Sequence, residues 1–235
     1  ENAKKAISLE PSNSDVNNLY GYVLTLAGEH KKAIPVFEKA ISLDPIPPFW
    51  YLIQLGVAYY WTGQNEEARV AFKRAVERSP GISDSHALLG CVLISLGEPG
   101  EALVEFDKAL SLNREPPAWC NGSRAVALVE IGKPEEAITT MQDLISRQPD
   151  DADGYRFFSK VLRLEGKHED ALQMAKKAVG LRSGHYDNFE LGMAYFMLEQ
   201  YDQAIPQFKK SIQLKPDYLA PHLGLAAAYS LASLM

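Results

Sequence analysis

Apolar and polar positions along this chain follow the spacing of amphipathic helices, and the helices come in pairs that repeat. A small residue recurs at Gly21, Gly56, Gly90, Ala125, Ser159, Gly192 and Ala226, in steps of 35, 34, 35, 34, 33 and 34. Twelve residues after each of the first six stand Ala33, Ala68, Ala102, Ala137, Ala171 and Ala204. Seven further on stand Ala40, Ala75, Ala109, Leu144, Ala178 and Ser211. Gly or Ala at a helix crossing lets two backbones approach, and Phe37, Phe72, Phe106, Met141 and Phe208 fill the gaps between. The turn inside each pair carries Gly28, Gly63, Gly97, Gly132 and Gly166, with Glu199 breaking the series. Glycine suits a helix that ends in the left-handed region, where a Cβ is costly. Pro45, Pro80, Pro149 and Pro216 follow the second helices and stop them, while Arg114 and Ser183 replace proline in two units.

A period near 34 with helical patterning marks a helical-repeat array, whose members cannot bury their apolar faces alone and must stack. The expected architecture is all-α: a single solenoid of antiparallel helix pairs over residues 1–235. Its six full repeats fall at 14–47, 49–82, 83–116, 118–151, 152–185 and 185–218. Residues 1–13 read as the end of an earlier second helix, with Ala6 and Pro11 in place, and residues 219–235 as a further first helix. The sequence therefore reads as a segment of a longer chain.

Composition narrows the function classes. Hydrophobic residues make up 46% and charged residues 23%, which suits a packed soluble protein. A formal net charge of −6 argues against a general binder of nucleic acid or anionic membrane. The two cysteines, Cys91 and Cys120, form neither a disulfide framework nor a metal spacing, which points to a reducing, cytoplasmic compartment. No stretch of 18 apolar residues is present to cross a membrane as a helix, and no signal peptide is visible. No phosphate-binding glycine loop, nucleophile elbow or zinc pattern occurs, so no catalytic residue, cofactor or metal is expected. The histidines obey the repeat: His30 and His168 share one position, His86 and His222 another. Glu66-Glu67 and Glu135-Glu136 begin second helices, where negative charge suits the dipole. Asn121-Gly122-Ser123 fits the glycosylation sequon but falls on an expected helix.

A second period of 69 separates odd from even repeats. Asp15, Asp84 and Asp153 open the odd ones, preceded in two cases by Ser14 and Ser83, and read as helix-start capping and dipole residues. Trp50, Trp119 and Tyr186 hold the same position in even repeats, the first two behind the proline pairs Pro47-Pro48 and Pro116-Pro117.

Taken together, Leu55-Gly56, Tyr59, Gly63, Ala68, Phe72, Ala75 and Pro80 resemble the tetratricopeptide repeat family, and the resemblance extends along all 235 residues. It implies a right-handed superhelix whose first helices line a concave groove that binds protein segments. By that resemblance the groove receives Asn18, Tyr22 and Thr25, then Trp50, Ile53, Val57, Tyr60 and Trp61. It continues with bland positions such as Ala87, Cys91, Gly122 and Val126, then Trp119, Arg156, Lys160, Arg163, Tyr186, Phe189, Met193 and Phe196. The even-repeat aromatics either point into the groove or cover a neighbouring helix end. Arg156, Lys160 and Arg163 share one helix face and form either an anion site for a partner carboxylate or a solvated basic face paired with Glu165 or Glu130. No three consecutive repeats reproduce the Lys-and-Asn clamp of chaperone-binding family members, and the asparagine ladder of glycosyltransferase-linked members is absent.

The expected function is a non-enzymatic protein-interaction scaffold whose partner segment carries an acidic and a bulky apolar residue. Two other readings remain. Stretches such as Pro47–Tyr60 resemble repeat regions of bacterial class III nucleotide cyclases and winged-helix regulators, which implies a regulatory or spacer segment of a larger bacterial protein. Leu223, Leu225, Tyr229 and Leu231 would leave an apolar end suited to self-assembly.

Overall fold

The computed structural model describes residues 2–233. Among them it holds helices and no strand. The chain divides into two compact units, Glu1–Glu115 and Pro116–Met235. The first contains α1 (Asn2–Leu9), α2 (Ser14–Leu26), α3 (His30–Leu43), α4 (Phe49–Trp61), α5 (Asn65–Arg78), α6 (Ser83–Ser95) and α7 (Pro99–Leu112). The second contains α8 (Ala118–Glu130), α9 (Pro134–Arg147), α10 (Ala152–Leu164), α11 (His168–Leu181), α12 (His185–Met197), α13 (Tyr201–Leu214) and α14 (Leu219–Ala232). In both units each helix packs antiparallel on the next.

The small residues and the phenylalanines are the two halves of one contact. A Cβ placed on Gly21, Gly56, Gly90 or Gly192 would stand 2.5, 2.6, 2.9 or 2.7 Å from the ring of Phe37, Phe72, Phe106 or Phe208. All four rings are buried. Phe208 is pinched twice, because a Cβ on Gly224 would come within 2.8 Å of it as well. Where the glycine is replaced, the large partner shrinks too. Ala125 stands in register with Met141, and Ser159 with Ala175, all four buried. Small and large trade volume at Ala125 and Met141, as close-packed interiors require, whereas Ser159 and Ala175 are both small.

The turn between paired helices closes the same way in each repeat. Glu29, Gln64, Glu98, Lys133, Lys167 and Gln200 donate their backbone N–H to a carbonyl five residues back, at 2.8–3.0 Å. The residue before each donor is left-handed: a glycine in five cases, and Glu199 with φ 60° in the sixth. Glu199 therefore adopts the glycine conformation without being glycine.

A polar residue in the first turn of several first helices ties back to the preceding loop. Asn17 Nδ2 donates to Pro11 O at 3.1 Å, while His86 Nε2 and His222 Nε2 lie 3.0 and 2.8 Å from Pro80 O and Pro216 O. Asp15, Asp84 and Asp153 sit in first turns, as the dipole argument expects. None of the three aspartates is the cap that the sequence reading made it: Asn13 caps α2 and accepts from Val16 N–H at 3.2 Å, Asp151 caps α10, and α6 has no side-chain cap. Ser83 caps nothing; its hydroxyl donates to Ala109 O at 3.0 Å. Asp15 has a longer-range role, accepting the hydroxyl of buried Tyr51. Burial and this carboxylate push the Tyr51 phenol up to about 12.

Two outcomes follow for urea unfolding. Gly56→Ala forces a methyl group into the Phe72 ring and is expected to destabilise the protein by about 1–3 kcal/mol. Glu199→Gly removes left-handed strain and is expected to stabilise it by about 1 kcal/mol. A neutral result for the first would show that the ring gives way freely.

Candidate functional site

The faces of the first helices differ sharply in chemistry between the two units. In the first unit α2 and α4 touch. Helix α4 carries no Asp, Glu, Lys or Arg, and α2 and α6 carry only Asp15 and Asp84 at their starts. The residues left outside are large and apolar. Tyr22 is 42% and Trp50 48% exposed. Trp50 is held edge-on between Phe49 and Tyr51, with ring centroids 5.3 and 6.3 Å away. Trp61 is exposed on one side and stacks on His30 at 5.9 Å on the other. Tyr60 is half-buried, with its hydroxyl 3.5 Å from Ser95 Oγ, and burial raises its phenol pKa.

On α2, Tyr22 and Leu26 are exposed on the same side as Trp61 of α4. Leu19 and Val23 are exposed too, but the residues in register with Val23 in later repeats, Ala58, Val92, Ala127, Val161 and Ala194, are fully buried, so Leu19 and Val23 belong to the flank on which repeats stack and not to the groove. The sequence reading placed Asn18 beside Tyr22. Asn18 is buried. Its Oδ1 and the Oε1 of Gln54 are sequestered without a hydrogen-bond donor.

In the second unit the first helices α8, α10, α12 and α14 touch in succession, while the second helices make no comparable approach to one another. The first helices therefore lie on the inside of that unit's curve. Gly122 is not an open position there: a Cβ on it would fall 2.2 Å from the Phe157 ring. Trp119, Tyr186, Phe189 and Phe196 are half-buried. Tyr186 and Phe189 lie 5.3 and 5.5 Å from Tyr218, Phe189 also 6.1 Å from Phe208, and Phe196 5.4 Å from Tyr201. These three aromatics cover neighbouring elements, whereas Trp50 and Tyr22 of the first unit present open surface.

The cations of α10 are drawn into internal pairs. Arg156 Nη2 lies 2.8 Å from Asp153 Oδ1, and its guanidinium stacks over Phe157 at 4.2 Å and Tyr186 at 5.4 Å. Arg163 Nε donates to Glu190 Oε1 at 2.9 Å. Arg182, from the loop before α12, reaches both Asp153 at 2.7 Å and Asp187 at 2.9 Å. Asp187 is fully buried and also accepts from Gly184 N–H at 3.0 Å. Burial would raise the Asp153 carboxyl, but hydrogen bonds from Arg182 and Arg156 outweigh it and hold the group below its ordinary 3.8. The expected partners Glu165 and Glu130 are not the ones used. The carboxylates come from α10's own first turn and from α12, one repeat on.

Lys160, between the two arginines, is half-buried, and no hydrogen bond or ion pair holds its ammonium among the described residues. Burial pushes its pKa down, with Glu190 pulling the other way. Among the described residues no group of three or more His, Cys, Asp or Glu is placed to hold a metal ion, and no helix is long and apolar enough to cross a membrane.

Truncating Arg163→Ala would strand Glu190 as a buried, unpaired carboxylate and is expected to lower stability by about 3 kcal/mol. The Asp153 contribution exists above the ordinary carboxylate pKa and is lost as pH falls through the lower folded value. Wild type should thus exceed Asp153→Asn at pH 7, and the gap should close below 3.8. Urea melts of both proteins across that range check this; a gap independent of pH would contradict it.

Comparison with known proteins agrees with the helix-pair architecture. Family models described as tetratricopeptide repeat match residues 14–47 and 83–116, 49–82, 123–186 and 189–218. Anaphase-promoting complex subunit 3 of Schizosaccharomyces pombe is 26% identical over 180 residues, covering 76% of this chain and 25% of the relative. Protein O-mannosyl-transferase TMTC3 of Homo sapiens is 26% identical over 222 residues, covering 92% of this chain and 24% of the relative. The chain thus spans about a quarter of the length of these two curated relatives. The crystal structure of a protein from Parabacteroides merdae, itself described by the same repeat, superposes with a TM-score of 0.83 at 19% identity. It covers 97% of this chain and 90% of that one, which establishes the fold.

Proposed function

From the premise that the chain belongs to the tetratricopeptide repeat family, we propose that it is a non-enzymatic protein-interaction scaffold. Its primary docking face is the first-helix layer of the first unit. Proteins of this repeat family are in general interaction scaffolds, and the Schizosaccharomyces pombe relative is named as a subunit of a complex. The observation that carries the reading is the uncharged, aromatic surface of α2 and α4. Trp50, Trp61, Tyr22 and Leu26 are each exposed, with no Lys, Arg or Glu on those helices. Contiguous apolar surface of this kind marks an interaction site, and Trp and Tyr are the residues most enriched among binding hot spots.

The partner segment that suits this face is uncharged and bulky, an extended strand or one face of a helix. Tyr60 and Trp61 would extend the contact along α4. In the second unit Lys160 is the cation that remains for a partner carboxylate, since Arg156 and Arg163 have internal acids. An acidic residue beside an apolar one would fit between Lys160 and the Tyr186–Phe189 edge. A second reading, self-association, draws support from the exposure of Leu219, Leu223 and Tyr229 on α14.

Affinity capture from source-cell lysate with wild type, Trp50→Ala and Lys160→Met as baits tests both faces. A partner held by wild type should bind Trp50→Ala more weakly by about 2 kcal/mol, roughly thirtyfold in affinity. Identical capture by all three baits would remove both faces from the interaction and favour a regulatory or spacer role. A mass that rises with protein concentration in light scattering would favour self-association.

A further inference from the structure

Each unit contains a crevice of the same architectural kind. It forms where the loop leaving one second helix meets the start of the next first helix and the end of the second helix after that. In the second unit it is lined by Pro149, Asp150, Asp151, Leu181 and Arg182 among others. In the first unit it is lined by Pro45, Pro47, Leu52, Arg74, Glu77 and Arg78. Both are open to solvent, so a ligand there would be held at the surface through its charged group.

The two crevices treat their arginines differently. In the second unit Arg182 is neutralised from within, by Asp153 at 2.7 Å and Asp187 at 2.9 Å. In the first unit neither Arg74 nor Arg78 has an ion pair or hydrogen bond to any described side chain. They stand four residues apart on α5, one turn above the other, where like charges repel. Glu77 lines the crevice between them in sequence without bridging to either. Asp44, at the end of α3, is turned to its own loop, accepting from Ile46 N–H at 2.9 Å.

The helix ends meeting here nearly cancel. Helix α5 ends in the crevice with its negative pole, which Arg78 complements. Helix α4 begins there with its positive pole, behind Pro48, with no side-chain cap and no acid in its first turn. What remains is two exposed guanidiniums with one lining carboxylate, Glu77, beside the rings of Pro45 and Pro47; Leu52 behind them is buried. Guanidiniums recognise planar and tetrahedral oxyanions through paired N–H donors.

We propose that the Arg74–Arg78 crevice of the first unit is a binding site for a small organic oxyanion. The carboxylate or phosphate would lie between the guanidiniums, and its apolar body against Pro45 and Pro47. The site lies apart from the first-helix faces and does not depend on their role.

The test is a nitrogen-edited NMR titration of the full chain, following arginine Nε–H and backbone signals. The probes are benzoate, phenyl phosphate and the uncharged control benzyl alcohol. The expected result is saturable shifts at Arg74, Arg78 and residues 45–52 with benzoate, phenyl phosphate or both, and none with benzyl alcohol. Whichever anion binds more tightly assigns the site to a carboxylate or a phosphate source. Arg74→Gln with Arg78→Gln should weaken that binding at least about tenfold. Both side chains are exposed, so circular dichroism should show an unchanged melting profile. Arg69→Gln, whose arginine is paired with Glu66 and Glu98, should bind as wild type does. Unsaturated shifts with both anions, equal binding of benzyl alcohol, or full affinity in the double variant would each overturn the proposal.

Discussion

The contact on which the rest depends is a phenylalanine ring resting on a bare α-carbon. Because the glycine sixteen residues earlier has no Cβ, the two helices of a pair approach until the ring meets backbone. That distance sets how far each first helix stands from its second, and so how the next pair can stack. Volume is conserved across the pair where Ala125 meets Met141, but Ser159 with Ala175 is smaller than glycine with phenylalanine, so the packing there is made up by other side chains. The Ser159 hydroxyl is buried there without a partner.

Much of this was readable in the sequence because it is written in fixed spacing. The glycine–phenylalanine pairs, the left-handed turn residue and the prolines after second helices all recur at one interval, so each occurrence checks the others. Even the exception was readable: Glu199 falls in the glycine register and takes up the glycine conformation. The charges were another matter. Arg156, Lys160 and Arg163 lie on one helix face by spacing alone, but their fate depends on carboxylates that another helix brings alongside. Glu190 lies one repeat beyond Arg163, and Asp153 nearly one repeat before Arg182, and no local pattern joins either pair.

The two units therefore use the same scaffold for different ends. The second unit places its polar residues in closed internal networks, where acids and bases from successive helices satisfy one another. Such networks fix the relative placement of α10 and α12, and of the three α10 cations they leave only Lys160 without a paired acid among the described residues. The first unit leaves its first helices almost uncharged and keeps unpaired arginines for a crevice at the helix ends. Where a repeat protein recognises something is decided less by where side chains protrude than by which have no partner at home.

The uncharged face of α2 and α4 has a kinetic consequence. With no formal charge beyond Asp15 along those helices, a partner is not drawn in by a long-range field. Encounter would be governed by orientation, at about 10⁵–10⁶ per molar per second, and would change little with ionic strength. For a segment docked as proposed, selectivity would rest on how long it stays, through the slow release of rings such as Trp50 from a dry contact.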